Sequence, residues 1–309
     1  MTQSLPSRAA RMLPALLILN ACSSSDRPTA PRVGQEALMR PGPPPANPAI
    51  AFTAGQTTLW VMNADGSNQT QITSTVGSLA SWAPFGDGTP ANPYAIAYEP
   101  SGCQLSRIDV AVVNGVPQGS NVRSLSVAPS ACGLDPAWSP KGDTIAFGDA
   151  GNNSPSSLWL TPADGSGPAV PIYTAPSGNR VVWSAWRSDA SQIAFVEQDA
   201  LGNRGIKVLN RATSVVTTVL AAGVLAGPRF VDWARTKDVL AFDAQGPRQD
   251  SLYTLDIASG HLTQIVPGVF PTWSPDDSKL AFAGISVVDV ATRTVTRLAK
   301  GGTWPDWRR

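Results

Sequence analysis

The sequence predicts an all-β fold: a six-bladed β-propeller of four-stranded antiparallel blades, closed by one blade shared between the two ends of the chain. Two observations carry this. A short phrase recurs around Trp82, Trp138, Trp186, Trp233, Trp273 and Trp307, and the first five copies run on into a β-rich tag. The tags are Ala95-Ile96-Ala97-Tyr98, Ile145-Ala146-Phe147, Ile193-Ala194-Phe195, Leu240-Ala241-Phe242 and Leu280-Ala281-Phe282. Trp307 has no tag after it, while Ile50-Ala51-Phe52 is a tag with no tryptophan before it. One blade that takes its inner strand from Trp307 and its other three strands from residues 48–74 reconciles the two, and closes the ring with backbone hydrogen bonds.

Composition agrees. Gly and Pro number 27 and 28 in 309 residues, which suits many short strands joined by tight turns better than helices. Charged residues make up 15% and the net charge is +1, with no basic stripe, which argues against nucleic acid as a partner.

Residues 1–22 read as a lipoprotein-type signal peptide. Arg8 and Arg11 precede an apolar run, Met12 to Leu19, that is too short to span a bilayer. Leu19-Asn20-Ala21-Cys22 has the form of a lipobox, followed by Ser23-Ser24-Ser25, and makes Cys22 the expected lipidation site. Residues 23–47, rich in Ser and Pro, have too little apolar surface for a core and read as an extended, disordered tether. The expected location is extracytoplasmic and membrane-anchored, on the periplasmic side of the outer membrane if the host is Gram-negative. The remaining cysteines, Cys103 and Cys132, form an even pair suited to an oxidising compartment, and a disulfide between them is expected.

Residues 48–309 carry the blades. The first strand of each holds the tryptophan, as in Pro271-Thr272-Trp273-Ser274-Pro275. A turn such as Asp276-Asp277-Ser278 or Lys141-Gly142-Asp143 leads to the tag as second strand. Leu59 to Asn63 and Ser157 to Leu160 mark the third. Hairpins such as Ala64-Asp65-Gly66-Ser67 and Ala163-Asp164-Gly165-Ser166 follow, their glycines supplying the positive φ of tight turns. Gln69 to Thr73 and His261 to Ile265 mark the fourth. Four strands per repeat, at tryptophan intervals of 34 to 56 residues, fit propeller blades. Each blade must stack on its neighbours, with the Trp and the Phe or Tyr of the tag as filling.

These phrases, Pro-x-Trp-Ser-Pro, the Ile/Leu-Ala-Phe tag and Leu59-Trp60-Val61-Met62-Asn63-Ala64-Asp65-Gly66, resemble the WD40-like repeat of TolB-type propellers across residues 48–309. They are also similar to the non-catalytic propellers of prolyl-oligopeptidase and dipeptidyl-peptidase enzymes. The resemblance implies a propeller and a protein or peptide partner in the envelope. Counterparts of the α/β domain that precedes the TolB propeller, and of the peptidase domain, are not expected.

A catalytic assignment finds few residues. His261, the sole histidine, reads as a turn-side residue; no Gly-x-Ser-x-Gly elbow occurs. Asp65 and Asp164 read as turn residues. No catalytic residue, metal ligand or cofactor is assigned. The candidate binding face is instead the one built from the irregular loops between strands two and three and between blades. Three residues before each repeat tryptophan stand Leu79, Asp135, Trp183, Phe230, Phe270 and Trp304, four of them aromatic, expected to ring one mouth of the channel either as a contact surface or as packing between inner strands. Arg180 and Arg229 stand close by and are suited to a carboxylate. The expected function is a monomeric, lipid-anchored scaffold that binds a protein or peptide. The alternatives are a lactonase-like or glycan-processing hydrolase with a channel metal, favoured by three or four converging acids or amides, and a peptidase-like propeller that recruits a separate enzyme.

Overall fold

The computed structural model describes residues 46–55, 57–74, 79–100, 104–125, 127, 134–149 and 156–309. Cys22, Cys103 and Cys132 lie outside the described residues, as do the expected signal peptide and nearly all of the tether.

Twenty-four strands form six four-stranded antiparallel sheets, and no helix occurs among the described residues. The first blade holds β4 (Ala80–Trp82), β5 (Tyr94–Tyr98), β6 (Leu105–Val113) and β7 (Val116–Leu125). The second holds β8 (Leu134–Trp138), β9 (Thr144–Gly148), β10 (Ser157–Pro162) and β11 (Val170–Thr174). β12 (Arg180–Trp186), β13 (Gln192–Gln198), β14 (Arg204–Asn210) and β15 (Val216–Leu220) make the third. β16 (Ala226–Trp233), β17 (Val239–Gln245), β18 (Asp250–Asp256) and β19 (Leu262–Pro267) make the fourth. The fifth is β20 (Thr272–Trp273), β21 (Lys279–Phe282), β22 (Ser286–Asp289) and β23 (Val295–Arg297). The sixth joins the two ends of the chain in the order β24 (Thr303–Trp307), β1 (Ile50–Ala54), β2 (Thr58–Met62), β3 (Thr70–Thr73). Its closing ladder pairs Ile50 with Trp307 and Ala51 with Asp306. The shared blade expected from the unmatched tag is therefore present, with Trp307 on its inner strand.

Six apolar clusters lie one between each pair of neighbouring blades, and each contains one repeat tryptophan. They explain the tag. Along a strand, side chains alternate between faces. Ile145 and Phe147 point to one face and pack with Trp138 against the first blade; Ala146, between them, points to the other and packs with Trp186 of the third. Ala194 meets Trp233, Ala241 meets Trp273, Ala281 meets Trp307 and Ala51 meets Trp82 in the same way. The small residue leaves the volume that the next blade's indole fills, so large-small-large is the shape of a blade seen from both sides.

His261 is exposed and precedes β19, which begins at Leu262, one residue later than the sequence suggested; its carbonyl accepts the Asp256 amide across the hairpin. Asp65 and Asp164 accept the amides of Ser67 and Ser166, which is turn chemistry.

Two substitutions test this packing. Trp233 and Ala194 are both fully buried. Trp233→Ala leaves a cavity and is expected to cost about 3–5 kcal/mol in chemical denaturation. Ala194→Leu fills space already occupied by Trp233 and is expected to cost about 1–3 kcal/mol. A neutral Ala194→Leu would show that the alanine of the tag is not set by the neighbouring indole.

Candidate functional site

The six inner strands line a central cavity of about 110 Å³. Two positions in each blade stand at this centre, three residues and one residue before the repeat tryptophan.

At the first position the backbone is bent. Asp135, Trp183, Phe230, Phe270 and Trp304 have φ of 58°, 45°, 52°, 62° and 49°. This left-handed region is uncommon for any residue with a side chain, and bulky ones hold it only when their surroundings impose it. On β8, β12 and β16 the ladder to the next strand slips at this point, skipping Asp135, Trp183 and Phe230, so these are β-bulges. The rings then meet in sequence around the channel: Trp183 with Phe230 at 4.5 Å, Phe230 with Phe270 at 4.3 Å edge to face, Phe270 with Trp304 at 5.5 Å. All four are half-buried. They pack against one another, as the packing reading of this register expected, and each keeps part of its surface exposed. Of this register, Leu79, Asp135, Trp183, Phe230 and Phe270 line the cavity.

Acids of the preceding blade hold two of the bent residues. The Trp183 amide donates to Asp135, whose carboxyl is pushed up to about 7 by burial and by the charge of Glu99. The Phe270 amide donates to Asp243 at 3.1 Å. Asp243 is fully buried and pushed up to about 6 by desolvation, against the pull of Arg229.

At the second position a belt of hydrogen bonds runs between blades. Each donor is the backbone N–H of a repeat tryptophan, and each acceptor is the side chain just before the previous blade's tryptophan. Ser81 Oγ takes the Trp138 amide at 3.0 Å, Asp232 Oδ2 that of Trp273 at 2.8 Å, Thr272 Oγ1 that of Trp307 at 3.3 Å and Asp306 Oδ2 that of Trp82 at 2.7 Å. Ala137 and Ala185 occupy this place in the second and third blades. Thr272 also donates its hydroxyl to Asp232 at 3.2 Å. Arg309 enters the channel and pairs with the other oxygen of Asp232; burial pushes its guanidinium down to about 10. Asp306 is pushed up to about 7 by burial, which the Trp82 amide and the Thr272 hydroxyl only partly offset.

Arg180 is exposed at the start of β12. Arg229 is committed within its own blade, to Asp243 at 2.7 Å and Asp250 at 2.5 Å. The sequence did not single out Arg204, at the start of β14, whose guanidinium lies over the Trp183 ring, 5.0 Å from its centroid. No repeat places an arginine there, so periodicity carried no signal for it. The channel acids Asp232 and Asp306 were likewise missed, although every copy has a small or short polar residue at that place. Among the described residues no three His, Cys, Asp or Glu side chains are grouped to hold a metal ion, and no helix is long and apolar enough to cross a membrane.

Neither protein-family models nor curated proteins yield a match to this chain. Solved structures do. A protein assigned as TolB from Agrobacterium tumefaciens superposes with a TM-score of 0.64 at 14% identity, over 83% of this chain and 91% of that one. TolB from Acinetobacter baumannii gives 0.64 at 15% identity, over 84% of this chain and 66% of that one. A chain of a nidogen/laminin complex gives 0.64 at 10% identity, over 85% and 99%. The fold is that of a TolB-like β-propeller.

The belt predicts a pH effect. An aspartate titrates near 3.9 when unfolded. Asp306 titrates near 7 when folded, so the folded state holds its proton more tightly and stability falls as pH rises from about 4 to about 7. Asp135 and Asp243 act in the same direction. Asp306→Asn keeps the acceptor for Trp82 without the buried charge. Its unfolding free energy is expected to match wild type at pH 4 and exceed it at pH 8 by on the order of 1 kcal/mol or more. Equal stability at both pH values would show that Asp306 does not carry this linkage.

Proposed function

We propose that this protein is a binding scaffold of the cell envelope, held at a membrane by a lipid on Cys22, which presents the irregular-loop face of its propeller to a protein or peptide. The observation that carries this reading is the arc of Trp183, Phe230, Phe270 and Trp304. Four large rings are held half-exposed at the channel by a backbone conformation that costs about 1–3 kcal/mol per residue, and such strain concentrates at functional sites. Half-exposed aromatic clusters are the usual anchors of protein contacts.

The channel acids support the same reading. Asp232 and Asp306 direct oxygens at the amides of Trp273 and Trp82, and Arg309 takes the remaining oxygen of Asp232, so both act as structural ties. The solved structures with this fold add support: two carry the name TolB, and the third belongs to a complex between two proteins, nidogen and laminin. Leu19 to Cys22 support the lipid anchor and the extracytoplasmic location.

Photo-crosslinking in the host tests both parts. A crosslinking residue at Ala200, on the loop face, is expected to capture one envelope protein recurrently, whereas one at Asp65, in a turn on the opposite face, is not. Cys22→Ser is expected to release the protein from the membrane fraction. Equal capture from both faces, or none from either, would overturn the scaffold reading; a membrane-bound Cys22→Ser protein would overturn the anchor.

A further inference from the structure

We infer that Arg204, with Trp183 beneath it and Arg180 beside it, forms a carboxylate-binding subsite at the rim of the aromatic mouth, which makes the favoured ligand a peptide segment bearing a free carboxylate next to an apolar side chain. The inference rests on the scaffold reading and names the chemistry of its partner.

The third blade builds the site. Arg180, Gln198 and Arg204 are in register on β12, β13 and β14, so their side chains stand in a row on one face of the sheet at its loop end. Gln198 Oε1 accepts Arg204 Nε–H at 2.9 Å and fixes the long side chain. The Trp183 ring supports one face of the guanidinium. On the fourth blade Gly227, at a φ of 62°, borders the guanidinium, and a Cβ there would stand 3.8 Å from Arg204 Nη1, in van der Waals contact. With Nε–H taken by Gln198, the two Nη groups are left as the donor pair whose end-on fork matches a planar carboxylate.

Arg204 makes no ion pair among the described residues, where the cations so engaged are Arg107, Arg187, Lys207, Arg229 and Arg309. Asp243 and Asp250 are taken by Arg229. Asp199, in the adjoining turn, spends its oxygens on Leu201 N, Asn203 N and Asn203 Nδ2. Half-buried Arg204 is held below the usual arginine range first by desolvation and then by the charge of Arg229, which the charge of Asp243 only partly offsets, a penalty that an incoming anion would relieve. Next to it the same loop carries Leu201, 88% exposed, an apolar contact with nothing of its own chain to cover it. A carboxylate flanked by an apolar group satisfies both features.

The test follows the arginine Nε–H resonances of the ¹⁵N-labelled full propeller during titration with N-acetyl-leucine, N-acetyl-leucinamide and inorganic phosphate at matched ionic strength. The Arg204 signal, assigned by its loss in Arg204→Gln, is expected to shift saturably with N-acetyl-leucine and not with its amide. Arg204→Gln is expected to weaken binding at least about tenfold, and Arg204→Lys, which keeps the charge but not the fork, also weakens it. Arg211→Gln, at a guanidinium over Trp186 elsewhere on the blade, is expected to bind as wild type. An equal response to acid and amide, no saturable response, or tighter binding of phosphate would overturn the inference. The acid–amide comparison uses wild-type protein, so it decides the matter even if the variants do not fold. Loop-face crosslinking that persists without a carboxylate response would fail this subsite and leave the scaffold standing.

Discussion

A four-stranded blade has two apolar faces and covers neither, and this need for neighbours governs the whole molecule. Burial is satisfied only when the last blade meets the first, so the ring is closed with strands from both ends of the chain. β24 and β1 make that closure, and the cluster around Trp307 and Ile50 is of the same kind as the other five. The indole between each pair of blades needs room, which the neighbouring alanine of the tag provides. No blade is complete alone, and stability is shared around the circle as interface terms.

Closing the ring crowds its centre. Six inner strands converge, and their side chains face other backbones. Two devices handle this. The belt led by Ser81, Asp232, Thr272 and Asp306 gives the tryptophan amides acceptors from the adjacent blade and so ties the blades where no ladder connects them. The bulges at Asp135, Trp183 and Phe230 turn a second set of side chains into the channel at the cost of a left-handed backbone. Closing a channel lined with acids has a cost as well: Asp135 and Asp306 sit where water is scarce, and their carboxyls rise towards neutrality.

The fold was legible because its signals are periodic. Six tryptophans, five tags and one stray tag specify the number of blades and the shared one, since interface packing imposes the same residue sizes at each turn of the ring. The aromatic register was legible for the same reason, but its backbone was not: nothing in Phe230 or Trp304 announces a positive φ, which tertiary crowding imposes on residues that would avoid it alone. Arg229 reads as an available cation in the sequence, whereas its partners Asp243 and Asp250 come from neighbouring strands that only the fold brings near. Arg204 illustrates the converse. It belongs to a single blade, and its significance comes from its place above Trp183.

The two departures from regularity coincide in space. Trp183 is bent out of its ladder, and its amide is held by Asp135 while its ring lies between Phe230 and Arg204. Three side chains from three blades therefore converge on one residue whose backbone is strained. The six interfaces and the four bonds of the belt form without Arg204. The Trp183 indole packs on the core between the third and fourth blades and keeps its remaining surface half-exposed beside a guanidinium. On the binding reading proposed above, this cluster would be an aromatic and cationic surface preorganised before any ligand arrives, with part of the ordering that binding requires already met during folding.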